Sequence, residues 1–481
     1  MNAFDSEDDG DYSPATDPGH RRMIRRRKNE PLPSPADTSV IESSPISLDL
    51  LSAGGPKRLK LENGEYAFQP VNVAQLLRQK ETTNSRCCGG LSKSDCCTAM
   101  SNYLPNTKKT IESFPSRLFG GFFSDDGSVF MSSCQDQHIR LFDVTNGRFK
   151  CFKDILAKDI GWTIVDTTYS PDQNYLVYSS WSDCIHMCNV HGDYETHIPL
   201  DLRPPGSTHF CAFCVRFSKD NKEILAGGND GCLYVYDRER AERTLIIHGH
   251  SDDCNAVAFA DNSSQLLFSG GDDALCKVWD RRVLGEKNPR PVGTLVGHGA
   301  GVTFIDTKGD GHYFISNSKD QSIKLWDVRS FSSKDAIACA KQMVDRHCFD
   351  YRWEEPPRKF LKDWKLAGDT SVMTYKGHRV QRCQIRCRFS PAHSTGQQYI
   401  YSGCSEGRLF VYDVLTGRVI GRYSEHDDAV RDVSWHPFQP VICTSSWDGK
   451  IGWWEYTRPH EIEPRECRRP GLRPKSSLRM K

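Results

Sequence analysis

A strand-like segment that ends in an aromatic and an acidic residue recurs along this chain at intervals of about 40 to 48 residues. Apolar and polar positions alternate within each segment, which is typical of a β-strand that buries one face. The seven segments are IRLFDV (139–144), IHMCNV (185–190), LYVYDR (233–238), CKVWDR (276–281), IKLWDV (323–328), LFVYDV (409–414) and IGWWEY (451–456). Because one such unit cannot bury its own apolar face, the repetition predicts that successive units stack into one continuous core.

Two further residue types keep fixed positions within the repeat. An acidic residue or a serine lies six residues before each strand-ending position, at Asp136, Ser182, Asp230, Asp273, Asp320, Glu406 and Asp448. A Gly-His pair or a remnant of one precedes several repeats, at Gly249-His250, Gly297-His298, Gly377-His378 and Glu425-His426. This signature marks the WD-repeat β-propeller, in which each repeat forms a four-stranded blade. We therefore predict an all-β, seven-bladed propeller over residues 108–458, closed by a strand near residues 108–116.

The histidines of the repeat are predicted to be structural, because they fall on repeat positions. In blade four the expected buried, hydrogen-bonded set comprises His250, Asp252 or Asp253, Ser269 and Trp279. No G-x-S-x-G elbow or phosphate-binding loop is evident in the sequence. We therefore expect a protein that is not an enzyme and that needs no cofactor or metal.

One interval between repeats, from Trp326 to Tyr412, is about twice the usual length. The segment between them lacks a Gly-His-to-strand pattern of its own, so we do not predict an eighth blade. The stretch SVMTYKGH (371–378) instead suits the outer strand of blade five, which makes residues 330–370 an insertion in that blade. Within it, FDYRWEEPP (349–357) combines aromatic, charged and proline residues, which favours an ordered arm.

The residues outside the repeats differ in composition. Residues 1–70 are rich in Ser, Pro, Asp and Arg and are predicted to be disordered. The basic run RRMIRRRK (21–28) and the basic tail (459–481) suit either nuclear import or solvated charge, so we expect residence in the nucleus and the cytoplasm. A formal net charge of +1 argues against direct nucleic-acid binding, and no apolar run is long enough to cross a membrane.

The segment 71–107 combines a short helical candidate with a cysteine-rich linker. VNVAQLLRQKE (71–81) places Val73, Leu76 and Leu77 on one helix face, which predicts docking against a partner or the propeller. CCGGLSKSDCC (87–97) has adjacent cysteine pairs instead of C-x-x-C knuckles, so a linker with thiols is favoured over a zinc site. The 20 cysteines, without a secretory signal, favour a reducing compartment.

Two arginines follow the Trp-Asp pair in successive repeats. KVWDRRVL supplies Asp280 and Arg282, and KLWDVRSF supplies Asp327 and Arg329 at the same spacing. Because strands alternate direction within a blade, both arginines are expected on the same face of the ring. One interpretation is a local pair with the preceding aspartate that tightens the turn. Their recurrence in neighbouring blades favours a shared external contact, for which the guanidinium group is well suited.

The opposite face is predicted to carry two tryptophans at equivalent turn positions. SSWSD places Trp181 and SSWDG places Trp447 directly after the second strand of their blades. An exposed tryptophan is a favoured anchor for a partner, which makes this a candidate substrate face. Packing against the neighbouring blade is the alternative interpretation.

The boxes WDRR (279–282) and WDVR (326–329) resemble the Trp-Asp-x-Arg boxes of the cullin-4-associated substrate receptors. The YRWEEPP arm and the VNVAQLLRQ stretch are similar to the member-eleven class of that family, over roughly residues 60–460. The resemblance implies that the boxes contact the damaged-DNA-binding adaptor of the cullin-4 RING ubiquitin ligase, through Asp280, Arg282, Asp327 and Arg329. It also implies that the helical stretch joins this contact.

The function implied by the resemblance is that of a substrate receptor. One face would hold the ligase adaptor, and the other would present an unidentified target protein for ubiquitination. The alternative is a non-catalytic WD-repeat scaffold of another nuclear or cytosolic complex, with the arginines bound to an unrelated acidic surface.

Overall fold

Seven four-stranded antiparallel sheets form most of the computed structural model, and one two-stranded sheet precedes them in the chain. The structure describes residues 33, 36–52, 58–60, 66–68, 78, 93–145, 147–192, 195–203, 210–284, 289–346, 349–362 and 364–458. Within these residues no helix is long and apolar enough to cross a membrane.

The first three blades follow one another in chain order. Blade one comprises β4 to β7, at Leu118–Phe123, Val129–Cys134, His138–Asp143 and Lys150–Leu156. Blade two comprises β8 to β11, at Asp166–Tyr169, Tyr175–Ser179, Cys184–Asn189 and His197–Asp201. Blade three comprises β12 to β15, at Ala212–Phe217, Glu223–Gly228, Cys232–Asp237 and Glu242–His248.

The next three blades repeat this order. Blade four comprises β16 to β19, at Ala256–Phe259, Leu266–Gly270, Cys276–Asp280 and Gly293–Leu295. Blade five comprises β20 to β23, at Val302–Thr307, Tyr313–Ser318, Ser322–Asp327 and Met373–Lys376. Blade six comprises β24 to β27, at Cys387–Phe389, Tyr399–Ser402, Arg408–Asp413 and Val419–Ser424.

Blade seven closes the ring with a strand from the start of the propeller. Its β28 to β30 lie at Val430–Trp435, Ile442–Ser446 and Lys450–Glu455. The outer strand is β3 (Thr107–Ser113), which pairs antiparallel with β30 from Thr107 opposite Glu455 to Ser113 opposite Lys450. The seven-bladed propeller and its closure near residues 108–116 are therefore confirmed.

A buried hydrogen-bonded set fixes the geometry of blade four. The two ring nitrogens of His250 lie 2.8 Å from Asp273 Oδ1 and 2.7 Å from Ser269 Oγ, and Trp279 Nε1 donates to the same serine at 2.9 Å. The predicted acidic members, Asp252 and Asp253, were wrong. The reason is that the turn before the third strand brings Asp273 opposite the imidazole, whereas Asp252 and Asp253 lie in the preceding loop.

The same set recurs in blade five and in blade seven, where the sequence signature is weaker. In blade five, His298 contacts Asp320 at 2.9 Å and Ser316 at 2.6 Å. In blade seven, His426 lies 3.0 Å from Asp448 and 2.7 Å from Thr444, so a threonine replaces the serine. Burial lowers the pKa of His426 despite the carboxylate beside it, as expected for a neutral, structural imidazole.

The first helices correct the prediction that residues 1–70 are disordered. Helices α1 (Ser39–Ser43) and α2 (Pro45–Ser52) pack on blades five and six. Their Ile41, Ile46 and Leu50 are buried with core residues of these blades, and each such side chain contributes roughly 1.5–3 kcal/mol of transfer free energy. The prediction was wrong because it used the average composition of the segment, which is dominated by Ser and Pro and hardly changes when three widely spaced apolar residues are present.

A small sheet and a helix lie in the segments that were predicted to be disordered or a linker. Strands β1 (Arg58–Lys60) and β2 (Tyr66–Phe68) form a small antiparallel sheet. Helix α3 (Lys93–Met100) includes the second pair of the cysteine-rich linker, and Cys97 is buried. This part of the linker is therefore an ordered helix. Among the described residues no group of His, Cys, Asp or Glu is arranged to hold a metal ion.

The insertion of blade five contains helix α4 (Lys334–Arg346). Ala336 and Ala340 of this helix pack with Leu275 and Val296 of blade four. A last short helix, α5 (Ala392–Thr395), lies between the first two strands of blade six.

Candidate docking face

The loops that follow the first and third strands of each blade lie on one face of the ring, which we call the box face. In blade four, β18 ends at Asp280, and a 3-10 turn (Arg281–Val283) follows. The carboxylate of Asp280 accepts the backbone N–H of Arg282 at 3.0 Å and its Nε and Nη2 at 2.9 and 2.7 Å. The Arg282 side chain is 65% exposed, so its guanidinium is held at the surface.

The box of blade five repeats this arrangement and adds one contact. The Asp327 carboxylate accepts the backbone N–H of Arg329 at 3.0 Å and its Nε and Nη2 at 2.8 and 2.7 Å. Nη2 also donates to Tyr313 Oη at 2.5 Å, and the Arg329 side chain is 46% exposed. Hydrogen bonding to Asp327 raises the pKa of Arg329, so this arginine stays charged.

The hydrogen bonds between each box aspartate and its arginine leave the arginine able to contact a partner protein as well. In both boxes the aspartate occupies Nε and Nη2, and within the described residues Nη1 of Arg282 and Arg329 makes no hydrogen bond. Each side chain is thus fixed on one edge and open on the other. A guanidinium held in this way loses little conformational freedom when a partner binds it, which favours affinity.

Another exposed arginine on the box face, Arg240, was missed by the sequence analysis. Arg240 follows the third strand of blade three, and its Nε lies 3.7 Å from Asp237 with the side chain largely exposed. The spacing here is Asp-x-x-Arg, so a search for Asp-x-Arg does not find it. Blades three and four are also joined on this face by the two hydrogen bonds from Arg281 to Glu223, at 2.5 and 2.7 Å.

Exposed apolar side chains accompany the arginines. Val283 comes directly after the first box, Phe331 lies two residues after the second, and Leu48 of α2 is also exposed. Helix α2 belongs to this face, because Ser44 just before it lies 3.4 Å from Tyr313 Oη, the group that accepts from Arg329. Charged anchors next to apolar side chains are the usual composition of a protein-binding surface. The predicted docking residues Val73, Leu76 and Leu77 lie outside the described residues.

The loops after the second and fourth strands form the opposite face, which we call the arm face. Trp447 is only 8% exposed, and its ring lies 5.6 Å from Phe119 of blade one. Trp181 is half-buried and packs edge-on against Phe213 of blade three at 5.7 Å. The structure therefore favours packing against the neighbouring blade for both rings. Among the residues of this face that the structure describes, the exposed tryptophans are Trp162 and Trp353, which the sequence analysis did not single out.

Comparison with known proteins places the chain in a family. The model of the WD domain, G-beta repeat, matches residues 205–237, 241–280, 289–327 and 417–455, which correspond to blades three, four, five and seven. The LEC14B homolog of Prunus armeniaca is 43% identical over 85% of this chain and 86% of its own length. The LEC14B protein of Lithospermum erythrorhizon is 42% identical over 80% and 83%. A relative in Caenorhabditis elegans, named DDB1- and CUL4-associated factor 11 homolog, is 36% identical over 75% of this chain and 65% of that protein.

The chain belongs to the WD-repeat family that contains the LEC14B proteins and the DDB1- and CUL4-associated factor 11 homologs. Membership confirms the resemblance inferred from the boxes and the arm. The three blades that the WD-domain model leaves unmatched, blades one, two and six, are complete four-stranded sheets in the structure.

Proposed function

We propose that this chain is the substrate receptor of a cullin-4 RING ubiquitin ligase, with the box face docked on the DDB1 adaptor. The observation that carries the proposal is the pair of aspartate-held arginines in neighbouring blades, Arg282 and Arg329. The name of the nematode relatives, DDB1- and CUL4-associated factor 11 homolog, supports the choice of partner.

The chain performs no chemistry in this proposal. It holds the adaptor on one face and a target protein on the other, and other subunits of the ligase transfer ubiquitin. The histidines of the blades support a non-catalytic role, because burial lowers the pKa of His250 and each ring nitrogen is occupied by a hydrogen bond.

Docking on the box face would combine charge and apolar contact. Arg282 and Arg329 would donate to carboxylates or backbone carbonyls of the adaptor, while Val283 and Phe331 would exclude water around them. Arg240 and the exposed Leu48 of α2 extend this surface on either side. Asp280 and Asp327 act by positioning the arginines, since their carboxylates are already occupied.

Co-purification with the adaptor tests the proposal. We expect the full chain with Arg282→Ala and Arg329→Ala together to lose the adaptor, because arginine anchors at interfaces often contribute 2 kcal/mol or more, about thirtyfold each. Arg203→Ala is the matched control, since this arginine is also surface-exposed and paired with an aspartate, Asp183, but lies on the arm face. Thermal unfolding should be nearly unchanged in all variants.

Two results would contradict the proposal. Adaptor recovery at the wild-type level with the double variant would mean that the boxes do not form the docking site. A wild-type chain that recovers neither the adaptor nor cullin-4 would instead favour a scaffold of another complex.

We also propose that the chain resides in both the nucleus and the cytoplasm. The basic run at 21–28 has the composition of an import signal. Replacement of its arginines and lysine by glutamine should deplete a fluorescent fusion of the full chain from the nucleus. An unchanged nuclear fraction would refute the role of this run.

A further inference from the structure

The insertion of blade five carries residues from the box face to the arm face. It begins just after Arg329, and α4 then packs along the edge of blade four. Beyond the helix, Phe360 and Trp364 pack over Gly299 of the loop between blades four and five, where a Cβ would lie 2.6 Å from Phe360. The arm (residues 349–357) is held between these two packed segments.

Hydrogen bonds fix the turn at the tip of the arm. The backbone N–H groups of Trp353 and Glu354 both donate to the carbonyl of Asp350, at 3.1 and 2.8 Å. The Asp350 carboxylate in turn accepts the backbone N–H and the guanidinium of Arg352, at 2.9 and 2.6 Å. The tip therefore has one defined shape.

Three contacts tie this turn to the propeller. The backbone N–H of Arg382 donates to the carbonyl of Tyr351 at 2.8 Å, and Gln381 Nε2 donates to the carbonyl of Glu354 at 3.0 Å. The ammonium of Lys319 lies 4.3 Å from the centre of the Tyr351 ring. The arm is thereby fastened to the arm face of blades five and six.

The fixed turn directs one large aromatic side chain into solvent. Trp353 is 81% exposed, the highest value among the large hydrophobic side chains that the structure describes. Its turn is fixed by neighbouring groups, so burial of the indole contributes nothing to holding the turn. A tryptophan on a fixed backbone needs little reordering of the chain when a partner covers it, and tryptophan is a favoured anchor at interfaces.

The surroundings of Trp353 are acidic. Glu354 and Glu355 follow it and are exposed. The charge of Arg352, the residue before Trp353, acts on Asp253 in the loop before blade four, where Asp252 is its neighbour. The cations beside these carboxylates already have partners. Arg352 binds Asp350, and Lys319 binds Asp272 at 2.7 Å. Arg379 lies 3.2 Å from Glu406 and makes a longer contact of 4.0 Å with Glu355.

Asp253 is a partly buried carboxyl group with two acidic neighbours. Burial, together with the charges of Asp272 and Asp252, raises the pKa of Asp253 to about 7 and outweighs the opposing effect of Lys319 and Arg352. In the described part of the chain its carboxylate accepts no hydrogen bond. A cation brought to this place would restore the charge of Asp253 and be stabilised by it.

We propose that the arm surface, formed by Trp353, Glu354, Glu355, Asp252 and Asp253, binds a basic segment of the recruited target protein. A lysine or arginine side chain stacks on the Trp353 ring, and flanking cations face the carboxylates. The identity of the partner as the target rests on the proposed function. The chemistry of the partner rests on the arm surface alone.

Binding of a defined peptide to the full chain tests the inference. The probe is a fluorescein-labelled dodecapeptide of four Gly-Arg-Lys repeats, and its control has glutamine in place of every arginine and lysine. By fluorescence anisotropy at low salt we expect the basic probe alone to bind, with a Kd below about 100 µM. Trp353→Ala should weaken binding about fivefold, and Glu354→Gln with Glu355→Gln about tenfold.

Matched control variants distinguish binding at the arm surface from nonspecific attraction of the basic probe to the protein. Trp162→Ala removes another exposed tryptophan of the same face, and Glu239→Gln with Glu242→Gln removes the same charge from the box face. Neither control should change the Kd by more than about twofold. Equal losses with the controls and the arm variants would overturn the inference.

Two further measurements identify the occupant. A full-length variant with Arg25, Arg26 and Arg27 changed to Gln should bind the probe as the wild type does. A gain of fivefold or more would mean that the chain's own basic run occupies the arm surface, which overturns the assignment to a target protein. The arm variants should also retain the adaptor, so failure of the peptide experiment is distinguishable from failure of the box-face proposal.

Discussion

A substitution at Asp327 tests whether the box aspartates act by positioning the arginines or by touching the adaptor themselves. The change Asp327→Asn keeps the size of the side chain and removes its charge, so the two-pronged grip on Arg329 is lost. The backbone turn can still be held, because the remaining amide oxygen can accept the N–H of Arg329. The arginine itself remains available to a partner.

The expected effect on adaptor affinity is modest. An arginine released in the free protein must be ordered again on binding, which costs about 0.5–1.5 kcal/mol and raises the Kd roughly twofold to twelvefold. Folding stability should fall by less than about 1 kcal/mol, because the Arg329 side chain is 46% exposed and solvent screens the pair. By contrast, Arg329→Ala removes the anchor and should weaken binding more.

Isothermal titration of the purified adaptor into the full chain measures the Kd of the Asp327→Asn and Arg329→Ala variants. Asp143→Asn is the matched control, because Asp143 holds the equivalent turn of blade one through Thr145, with no arginine involved. Wild-type affinity for Asp327→Asn, together with weak binding of Arg329→Ala, would refute preorganisation by the carboxylate. Tighter binding would show that Asp327 competes with the adaptor for the arginine.

Two further predictions concern the propeller itself. Burial alone would raise the pKa of Asp273, but the hydrogen bond and charge of His250 outweigh it and lower the pKa to about 2. The ionised Asp273 should therefore stabilise the fold fully above pH 3.8, and this contribution should be lost as the pH falls towards 2. Urea unfolding should therefore show that the advantage of the wild type over Asp273→Asn shrinks with acid, and a pH-independent difference would contradict this. Ile46→Ala should release α2 and speed proteolysis within residues 36–52, whereas Leu48→Ala, at an exposed position of the same helix, should not; equal rates would show that Ile46 does not anchor the helix.

The ring could be predicted from the sequence because each blade carries its own local signal. A strand that closes with an aromatic residue, and an acidic turn six residues earlier, recur often enough to count the blades even where the pair is Cys188-Asn189. Blade seven ends in Trp454-Glu455, yet it keeps the histidine contact because Thr444 supplies the hydroxyl. The spacing thus carries more information than any single residue.

The features that the sequence did not reveal depend on contacts between distant residues. Nothing local in residues 39–52 shows that Ile41 and Ile46 meet blades five and six, so composition alone predicted disorder. The arm has a readable sequence, but its place on the opposite face follows from Tyr351 meeting Lys319 and Arg382. Likewise, the choice of Asp273 over Asp253 depends on which loop faces the imidazole.

The described residues of the insertion contact both faces of the ring. Ser332, three residues after Arg329, accepts the backbone N–H of Val296 at 2.9 Å and lies 3.0 Å from Thr370 at the far end of the insertion. The box of blade five and the base of the arm are therefore fastened to the same strands. If the box face holds the adaptor, a target bound at Trp353 would be presented to the ligase from the arm face, at a position that depends on these contacts at the base of the insertion. Changes that loosen the base of the insertion should then impair presentation of a target without loss of either binding contact.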